Sequence, residues 1–169
     1  MAKKRINSIK KGKRGELEVA NLLNDFYKID KKSDSSFKRV PQSGAVATIH
    51  KSALSESEAQ VFVGDIIAPN WWPYIIEVKN VARVDLYKIF TTGKCEWDAQ
   101  LKEEKSNLKM AKKSGVILVF KGTRKDWLVM LDKDTFPKIK FCPRIELENG
   151  RIIVPLQHLL NITLSNLQH

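Results

Sequence analysis

Three charged side chains lie in or beside two short apolar runs of this sequence. Asp65 lies in the first run, residues 61–67, while Glu77 and Lys79 lie in the second run, residues 74–81. Both runs have the length and the residue types of buried strands, and a proline-containing turn separates them. If the runs form an antiparallel hairpin centred near residue 71, Asp65 and Glu77 face each other with Cβ atoms about 5 Å apart. Two carboxylates at that separation repel each other, so the pattern predicts a positive group between them.

A divalent cation is the group that such a pair favours. Ligands that are all oxygen select a hard ion, Mg²⁺ with Mn²⁺ as a substitute, over zinc. Because side chains alternate along a strand, Lys79 lies on the same face as Glu77. A metal ion beside an ammonium group suits phosphodiester hydrolysis, since the ion activates a water and Lys79 orients that water or offsets transition-state charge. The alternative is an ordinary Glu–Lys ion pair, with Asp65 as a strand-end residue.

A fourth acidic residue is predicted on the inward face of a helix. Residues 13–27 have helical periodicity, and Glu16 falls inside the apolar stripe of that helix. Its carboxylate is then either an additional metal ligand, direct or through water, or a favourable partner of the helix dipole. The residues alone leave both readings open.

The order of the predicted elements indicates an α/β fold with a mixed sheet. A helix over 97–113 connects the strand at 74–81 to a parallel strand at 116–120. The other predicted elements are a long loop over 30–60 with short strands near 37–40 and 45–49, strands at 127–131 and 138–141, a hairpin of 144–147 with 151–154, and a helix over 156–167. We expect residues 1–134 to form the core, with a basic N-terminal arm, and residues 135–169 to form an extension packed on the same domain.

Composition favours a polyanionic partner. The chain has 169 residues, and its 30 Lys and Arg against 19 Asp and Glu give a formal net charge of +11, which favours nucleic acid. Cys95 and Cys142 have no CxxC spacing, which argues against a structural zinc site or a disulfide framework and favours a reducing, cytoplasmic setting. No apolar stretch approaches the roughly 18 residues of a membrane span. Ribosomal and membrane-surface proteins share this composition, so the charge alone does not identify the partner, and we expect an intracellular protein without a membrane span.

The charged strand pair resembles the signature of a known superfamily. The sequences GD at 64–65 and IIEVKN at 75–80 resemble the PD-(D/E)XK nuclease motif, with Gly64 in the place of the usual proline. The sequence KGKRGELEVANLL at 11–23 resembles the opening helix of archaeal-type Holliday-junction resolvases. The resemblance implies a restriction-endonuclease-like core with a mixed central sheet flanked by helices, and the C-terminal hairpin and helix read from the sequence are an extension of that core. It also makes Glu16 the acid borne by the helix.

The same resemblance suggests residues that contact DNA. The sequence RVPQSG at 39–44 is similar to the family's loop near the site, where Arg39 and Ser43 approach the scissile backbone. Gln100 lies in a helix that resembles the one after the motif, which makes it a polar contributor. Independently of the family, the basic start of the chain predicts phosphate contacts for Lys11, Lys13 and Arg14, with a solvated tail as the alternative. A homodimer is implied by the family, because the two strands of a junction are cut symmetrically.

The leading hypothesis is a Mg²⁺-dependent, structure-selective endodeoxyribonuclease, namely a Holliday-junction resolvase. In this hypothesis Asp65 and Glu77 bind the metal ion, the backbone carbonyl of Val78 and Glu16 complete its shell, and Lys79 positions the water. One alternative is a restriction-like or repair endonuclease that cuts linear duplex DNA. A second is a non-catalytic nucleic-acid-binding protein that uses the same basic surface. Two departures from the resolvase pattern are a longer loop before Asp65 and a C-terminal segment without a counterpart.

Overall fold

The computed structural model of the protein describes residues 8–41, 63–135 and 144–167. Its helices are α1 (Ser8–Tyr27), α2 (Leu86–Thr92), α3 (Asp98–Ser106), α4 (Leu108–Ala111) and α5 (Leu156–Leu167). Its strands are β1 (Lys38–Arg39), β2 (Ile66–Ile67), β3 (Tyr74–Asn80), β4 (Gly115–Lys121), β5 (Leu128–Asp132), β6 (Ile145–Glu146) and β7 (Arg151–Pro155). No helix in these ranges is both long and apolar enough to cross a membrane.

A mixed five-stranded sheet forms the centre of the protein, in the order β3-β4-β5-β7-β6. Strands β3 and β4 are parallel over seven paired positions, and every other pairing in this sheet is antiparallel. Helices cover both faces of the sheet, so the predicted α/β fold with a restriction-endonuclease-like core is confirmed. The predicted C-terminal hairpin forms as well, and because β7 pairs with β5 it completes the central sheet.

Two apolar clusters, one on each face of the sheet, fix the direction of every side chain in β3. Ile76 and Val78 belong to the cluster that includes Val19 and Leu23 of α1. Ile75 belongs to the opposite cluster, with residues of α2 and α3. Since side chains alternate along a strand, the charged positions 77 and 79 emerge on the α2 and α3 face. Strand β3 is also an edge strand of the sheet, so one side of its backbone is available to a loop.

The predicted hairpin of 61–67 with 74–81 is wrong as a regular ladder. Strand β2 pairs with β1 instead, and within residues 63–80 the hydrogen bond from the Asp65 N–H to the Ile76 carbonyl, at 2.9 Å, is the one backbone hydrogen bond between the two predicted strands. Gly64 explains this close approach: its φ is +77°, and a Cβ there would lie 2.7 Å from the Ile76 oxygen. The backbone is therefore hydrogen-bonded to β3 through Asp65 and then turns towards β1, where the Val40 N–H donates to the Asp65 carbonyl at 3.0 Å.

The other predicted elements differ from the structure at their ends. Helix α1 begins at Ser8 rather than at residue 13, and the helix predicted over 97–113 is interrupted at Asn107. Helix α2 was not predicted from the sequence, although it has recognisable signals at both ends. The Asp85 side chain accepts a hydrogen bond from the Lys88 N–H in the first turn, and Gly93, with a φ of 64°, caps the C-terminal end. Strands β4 and β5 lie within a residue of the predictions. The strands predicted near 45–49 and 138–141, like Cys142, lie outside the described residues.

Helix α1 lies very close to the end of β3. Gly15 is buried, and a Cβ at this position would lie 2.6 Å from the Asn80 Cβ. That separation is too short for two carbon atoms, so the helix approaches the strand this closely only because residue 15 lacks a side chain. Gly12, one turn earlier, has nothing within 4 Å of the place that a Cβ would occupy, and it offers an internal comparison.

Alanine substitutions at the two glycines are therefore expected to act in opposite directions. Gly15→Ala forces α1 away from β3 and lowers the free energy of unfolding by about 1–3 kcal/mol. Gly12→Ala raises it by up to about 1 kcal/mol, because alanine favours the helix over glycine. Urea unfolding of both variants at one pH measures the difference. Equal effects at the two positions would contradict the close packing of α1 on β3.

Candidate active site

The carboxyl groups of Asp65 and Glu77 meet beside β3 and share a hydrogen bond. Asp65 Oδ2 also accepts the Val78 N–H at 2.8 Å, so its side chain replaces a backbone carbonyl on the free edge of the strand. Glu77 extends from β3 itself and is 7% exposed. The two acids are thus brought together, by a glycine-dependent backbone contact and a side-chain hydrogen bond rather than by the predicted hairpin register.

Burial makes this contact between carboxyl groups unfavourable when both are ionised. Desolvation raises the pKa of Asp65 to about 7, and the negative charge of Glu77 adds to the rise, against the Val78 N–H and Lys79. Desolvation also raises the pKa of Glu77, although Lys79 acts in the opposite direction. Without a cation, the pair therefore retains a shared proton at a pH where isolated carboxyl groups have lost theirs.

Lys79 places a positive charge beside this pair. Its Nζ lies 2.6 Å from Glu77 Oε1, and its side chain is 19% exposed. The ion pair that sequence reasoning treated as the alternative is therefore present. It leaves Asp65 unexplained, however, because Asp65 is not an isolated strand-end residue but directly contacts Glu77. One ammonium faces two carboxyl groups, and one further positive charge is needed when both are ionised.

Sequence reasoning missed Glu104 of α3. Its negative charge is among the causes that raise the pKa of Glu77, and its side chain is half-buried. The spacing of the sequence indicates that Glu104 lies towards the inward face of this helix. Positions 97, 101 and 104 fall on one face, and Trp97 and Leu101 on that face are buried. Gln100, on the same helix, is exposed. The glutamate, rather than the predicted glutamine, is thus close enough to Glu77 to affect its ionisation.

Glu16 is buried as predicted but has a different neighbour. Arg39 Nη1 lies 3.4 Å from Glu16 Oε2, which links α1 to β1. Within residues 8–41, 63–135 and 144–167 there is no group of three or more His, Cys, Asp or Glu side chains able to hold a metal ion. Glu16 therefore does not form such a group with Asp65 and Glu77. A contact through water stays a prediction.

The predicted DNA-contacting residues lie in different surroundings. Lys13 and Arg14 are exposed on α1. Lys11 is held by the protein, because its Nζ donates to the Val81 carbonyl at 2.6 Å and to Thr123 Oγ1 at 2.8 Å. Arg39 is partly engaged by Glu16, and Ser43 lies outside the described residues.

The residues beside β3 fit a hard divalent cation. Asp65 and Glu77 supply carboxylate oxygens that are already in contact. The N–H and C=O groups of one strand residue point to the same side, so the Val78 carbonyl points to the edge where its N–H meets Asp65. These donors are all oxygen, as Mg²⁺ or Mn²⁺ prefers. An ion there would take the place of the proton that the two acids share.

The raised pKa of Asp65 predicts a pH-dependent effect of Asp65→Asn on stability without metal ions. The wild-type Asp65 carboxyl ionises near pH 7 when the protein is folded and near pH 4 when it is unfolded. Its contribution to the free energy of unfolding therefore falls as pH rises through this window. Asparagine does not ionise. The free energy of unfolding of the variant, measured relative to wild type, therefore rises by on the order of a few kcal/mol between pH 4 and pH 8.

Urea unfolding in EDTA at the two pH values measures this gain, and an unchanged difference would contradict it. Asp98→Asn is a control of opposite sign. Desolvation acts to raise the pKa of Asp98, but the hydrogen bond from Arg151 outweighs this effect and holds that pKa below its usual value. This variant therefore loses stability relative to wild type as pH rises through the acid range.

Comparison with known proteins identifies the family. Residues 7–149 match the family described as "Phage putative PDDEXK endonuclease". No curated protein matches the chain, and no solved structure does. The match includes α1, both acids of the contact beside β3, Lys79 and the strands of the central sheet up to β6. The PD-(D/E)XK resemblance is therefore confirmed, and the chain belongs to this family of PDDEXK endonucleases.

Proposed function

We propose that the protein is a divalent-metal-dependent endodeoxyribonuclease that hydrolyses phosphodiester bonds, with Mg²⁺ as its ion and Mn²⁺ as a substitute. The observation that carries this proposal is the contact between the half-buried carboxyl group of Asp65 and the buried carboxyl group of Glu77, with Lys79 at 2.6 Å from Glu77. PDDEXK nucleases generally depend on a divalent metal ion, which agrees with this donor set.

Each residue of the site has a distinct role in this proposal. Asp65, Glu77 and the carbonyl of Val78 hold the ion, which when bound polarises a phosphate oxygen and lowers the pKa of a water. Lys79 is fixed by Glu77, so its ammonium lies beside the reacting phosphate, where it orients the attacking water and offsets developing negative charge. Glu16 acts from α1 through water and keeps Arg39 in place.

DNA is the substrate that the charge distribution favours. The formal net charge of +11 supports binding of a polyanion, and exposed Lys13 and Arg14 lie on the helix that packs against β3. A non-catalytic nucleic-acid-binding protein would share this surface. It would gain nothing from two carboxyl groups in contact, however, because carboxylates near phosphates oppose binding.

Branched DNA is the substrate class that we propose within this activity. The support is the resemblance of residues 11–23 to the opening helix of archaeal-type Holliday-junction resolvases, and these residues lie in α1. A homodimer belongs to the same proposal, because a four-way junction presents two strands that require symmetric cleavage. An endonuclease for linear duplex DNA would use the same acids and lysine, so substrate preference needs its own experiment.

Removal of any one of the three side chains is expected to abolish cleavage without preventing DNA binding. Asp65→Asn, Glu77→Gln and Lys79→Ala should each lower the cleavage rate in Mg²⁺ by about 100-fold or more, because each removes a ligand or the charge beside the phosphate. Exposed residues supply matched controls, Glu148→Gln for the acids and Lys94→Ala for the lysine. Single-turnover cleavage and anisotropy in Ca²⁺ separate catalysis from binding. Wild-type rates in any of the three variants would refute the site.

Substrate preference is tested with a four-way junction and a linear duplex of the same arm sequences. The proposal predicts faster cleavage of the junction, in symmetric pairs of nicks, and no cleavage of either substrate in EDTA. Equal rates on the two substrates would contradict junction selectivity and favour the alternative, an endonuclease for linear duplex DNA. The comparison uses the wild-type chain and requires no substitution.

A further inference from the structure

Three segments of the chain converge where the parallel strands β3 and β4 end. Lys11 of α1 joins them, because its Nζ donates both to the Val81 carbonyl and to Thr123 Oγ1. The Thr123 N–H donates to the Ala82 carbonyl at 3.3 Å, and the Val81 N–H donates to the Lys121 carbonyl at 3.1 Å. The loop after β3 and the turn after β4 are therefore tied to each other and to α1.

These two tied segments carry three exposed cations. Arg83 belongs to the loop after β3, and Arg124 and Lys125 belong to the turn after β4. None of the three forms an ion pair with another residue in the described part of the chain. Many other cations of the protein do have carboxylate partners, including Lys79, Lys105, Lys121 and Arg151. The charges at this end of the sheet are thus available to an external anion.

The turn after β4 holds Arg124 in a conformation that an arginine does not favour. Its φ is 60°, in the left-handed region, where a residue with a Cβ is strained by roughly 1–2 kcal/mol. The turn is closed by the Lys125 N–H, which donates to the Gly122 carbonyl at 3.2 Å. Glycine or asparagine would occupy position 124 at a lower energy. Lys28 and Lys112 share this backbone conformation, with φ values of 54° and 53°, so what marks Arg124 is its place in a turn that is tied to the loop after β3, rather than the strain.

The three cations lie close to the candidate active site along the sheet. Val81 follows Lys79 by two positions, and four positions separate it from Glu77. At about 3.3 Å per residue, this end of β3 lies about 13 Å from the paired acids. The rise of duplex DNA is about 3.4 Å per nucleotide on each strand. A DNA backbone passing over the acids therefore reaches the end of the strand within a few nucleotides.

We propose that Arg83, Arg124 and Lys125 form a second binding site for the DNA backbone, which contacts phosphates a few nucleotides from the phosphodiester that is cut. This inference rests on the proposed nuclease function and adds to it the residues that hold the flanking DNA. Lys11 is a positioning residue in this arrangement, because it ties together the segments that carry the three cations. The ligand recognised is the phosphodiester backbone, so binding here is independent of sequence.

A matched pair of triple variants tests the site. The test variant is Arg83→Gln, Arg124→Asn and Lys125→Gln, in which asparagine suits the left-handed backbone at position 124. The control variant is Lys28→Asn, Lys31→Gln and Lys32→Gln, of which Lys31 forms a surface ion pair with Asp25 at 2.8 Å. Both lower the net charge by the same amount, and Lys28, with a φ of 54°, matches the backbone conformation of Arg124. The control cations are exposed near the C-terminal end of α1, about 25 Å from Lys11 along the helix.

Binding of a fluorescent duplex is measured by anisotropy in Ca²⁺ over a range of salt concentrations, with circular dichroism to verify folding. Each phosphate contact contributes about 0.9 to the dependence of log K on log salt. For the test variant, the magnitude of this slope is therefore expected to fall by about 2–3, and its affinity for the duplex is expected to fall at least about 10-fold. The control variant is expected to change the slope by less than about 1.

The outcomes separate this inference from the nuclease function. If wild type cuts DNA in Mg²⁺ and the test variant retains the wild-type slope, the second site is refuted and the nuclease proposal stands. Equal losses in the test and control variants would also overturn the site, because net charge alone would then explain binding. If wild type neither binds nor cuts DNA, the proposed function fails and the second site fails with it.

Discussion

The contact between two partly desolvated carboxyl groups is the constraint on which the candidate site depends. Asp65 and Glu77 are in contact where desolvation weakens the screening of their charges by water, and Lys79 neutralises only part of them. Such a pair is stable only with a proton or a cation between its oxygens. A divalent ion supplies more positive charge than a proton and needs these same oxygen ligands. Two carboxyl groups in contact are unfavourable when no positive charge lies between them, and the same arrangement is therefore suited to metal binding.

The fold positions this contact through the edge of its central sheet. Strand β3 pairs with β4 on one side only, so its other side is free to receive the Asp65 segment. Gly64 permits the close approach at that edge, and Gly15 permits α1 to approach the end of the same strand. Both glycines act through the absence of a Cβ. The chemistry of the site thus depends on backbone contacts as much as on its charged side chains.

Much of the site was visible in the sequence, because charged residues inside apolar strands are conspicuous. The identities of Asp65, Glu77 and Lys79 and the mixed sheet followed from local patterns. The hairpin register could not be predicted from local patterns. Tertiary contacts to β1 and the left-handed backbone at Gly64 override the regular pairing that a turn suggests. Glu104 was missed because an exposed helix face was assumed, although its position relative to Leu101 placed it at the edge of the buried face.

Calorimetric titration of the wild-type protein with Mn²⁺ tests the central claim most directly. Carried out at pH 7 in two buffers with different ionisation enthalpies, it measures both the affinity for the ion and the protons released on binding. A cation that displaces the proton shared by Asp65 and Glu77 is expected to release on the order of one proton per ion. Asp65→Asn should abolish both the binding and the release. Unchanged Mn²⁺ binding in that variant, or binding by wild type without proton release, would contradict the account.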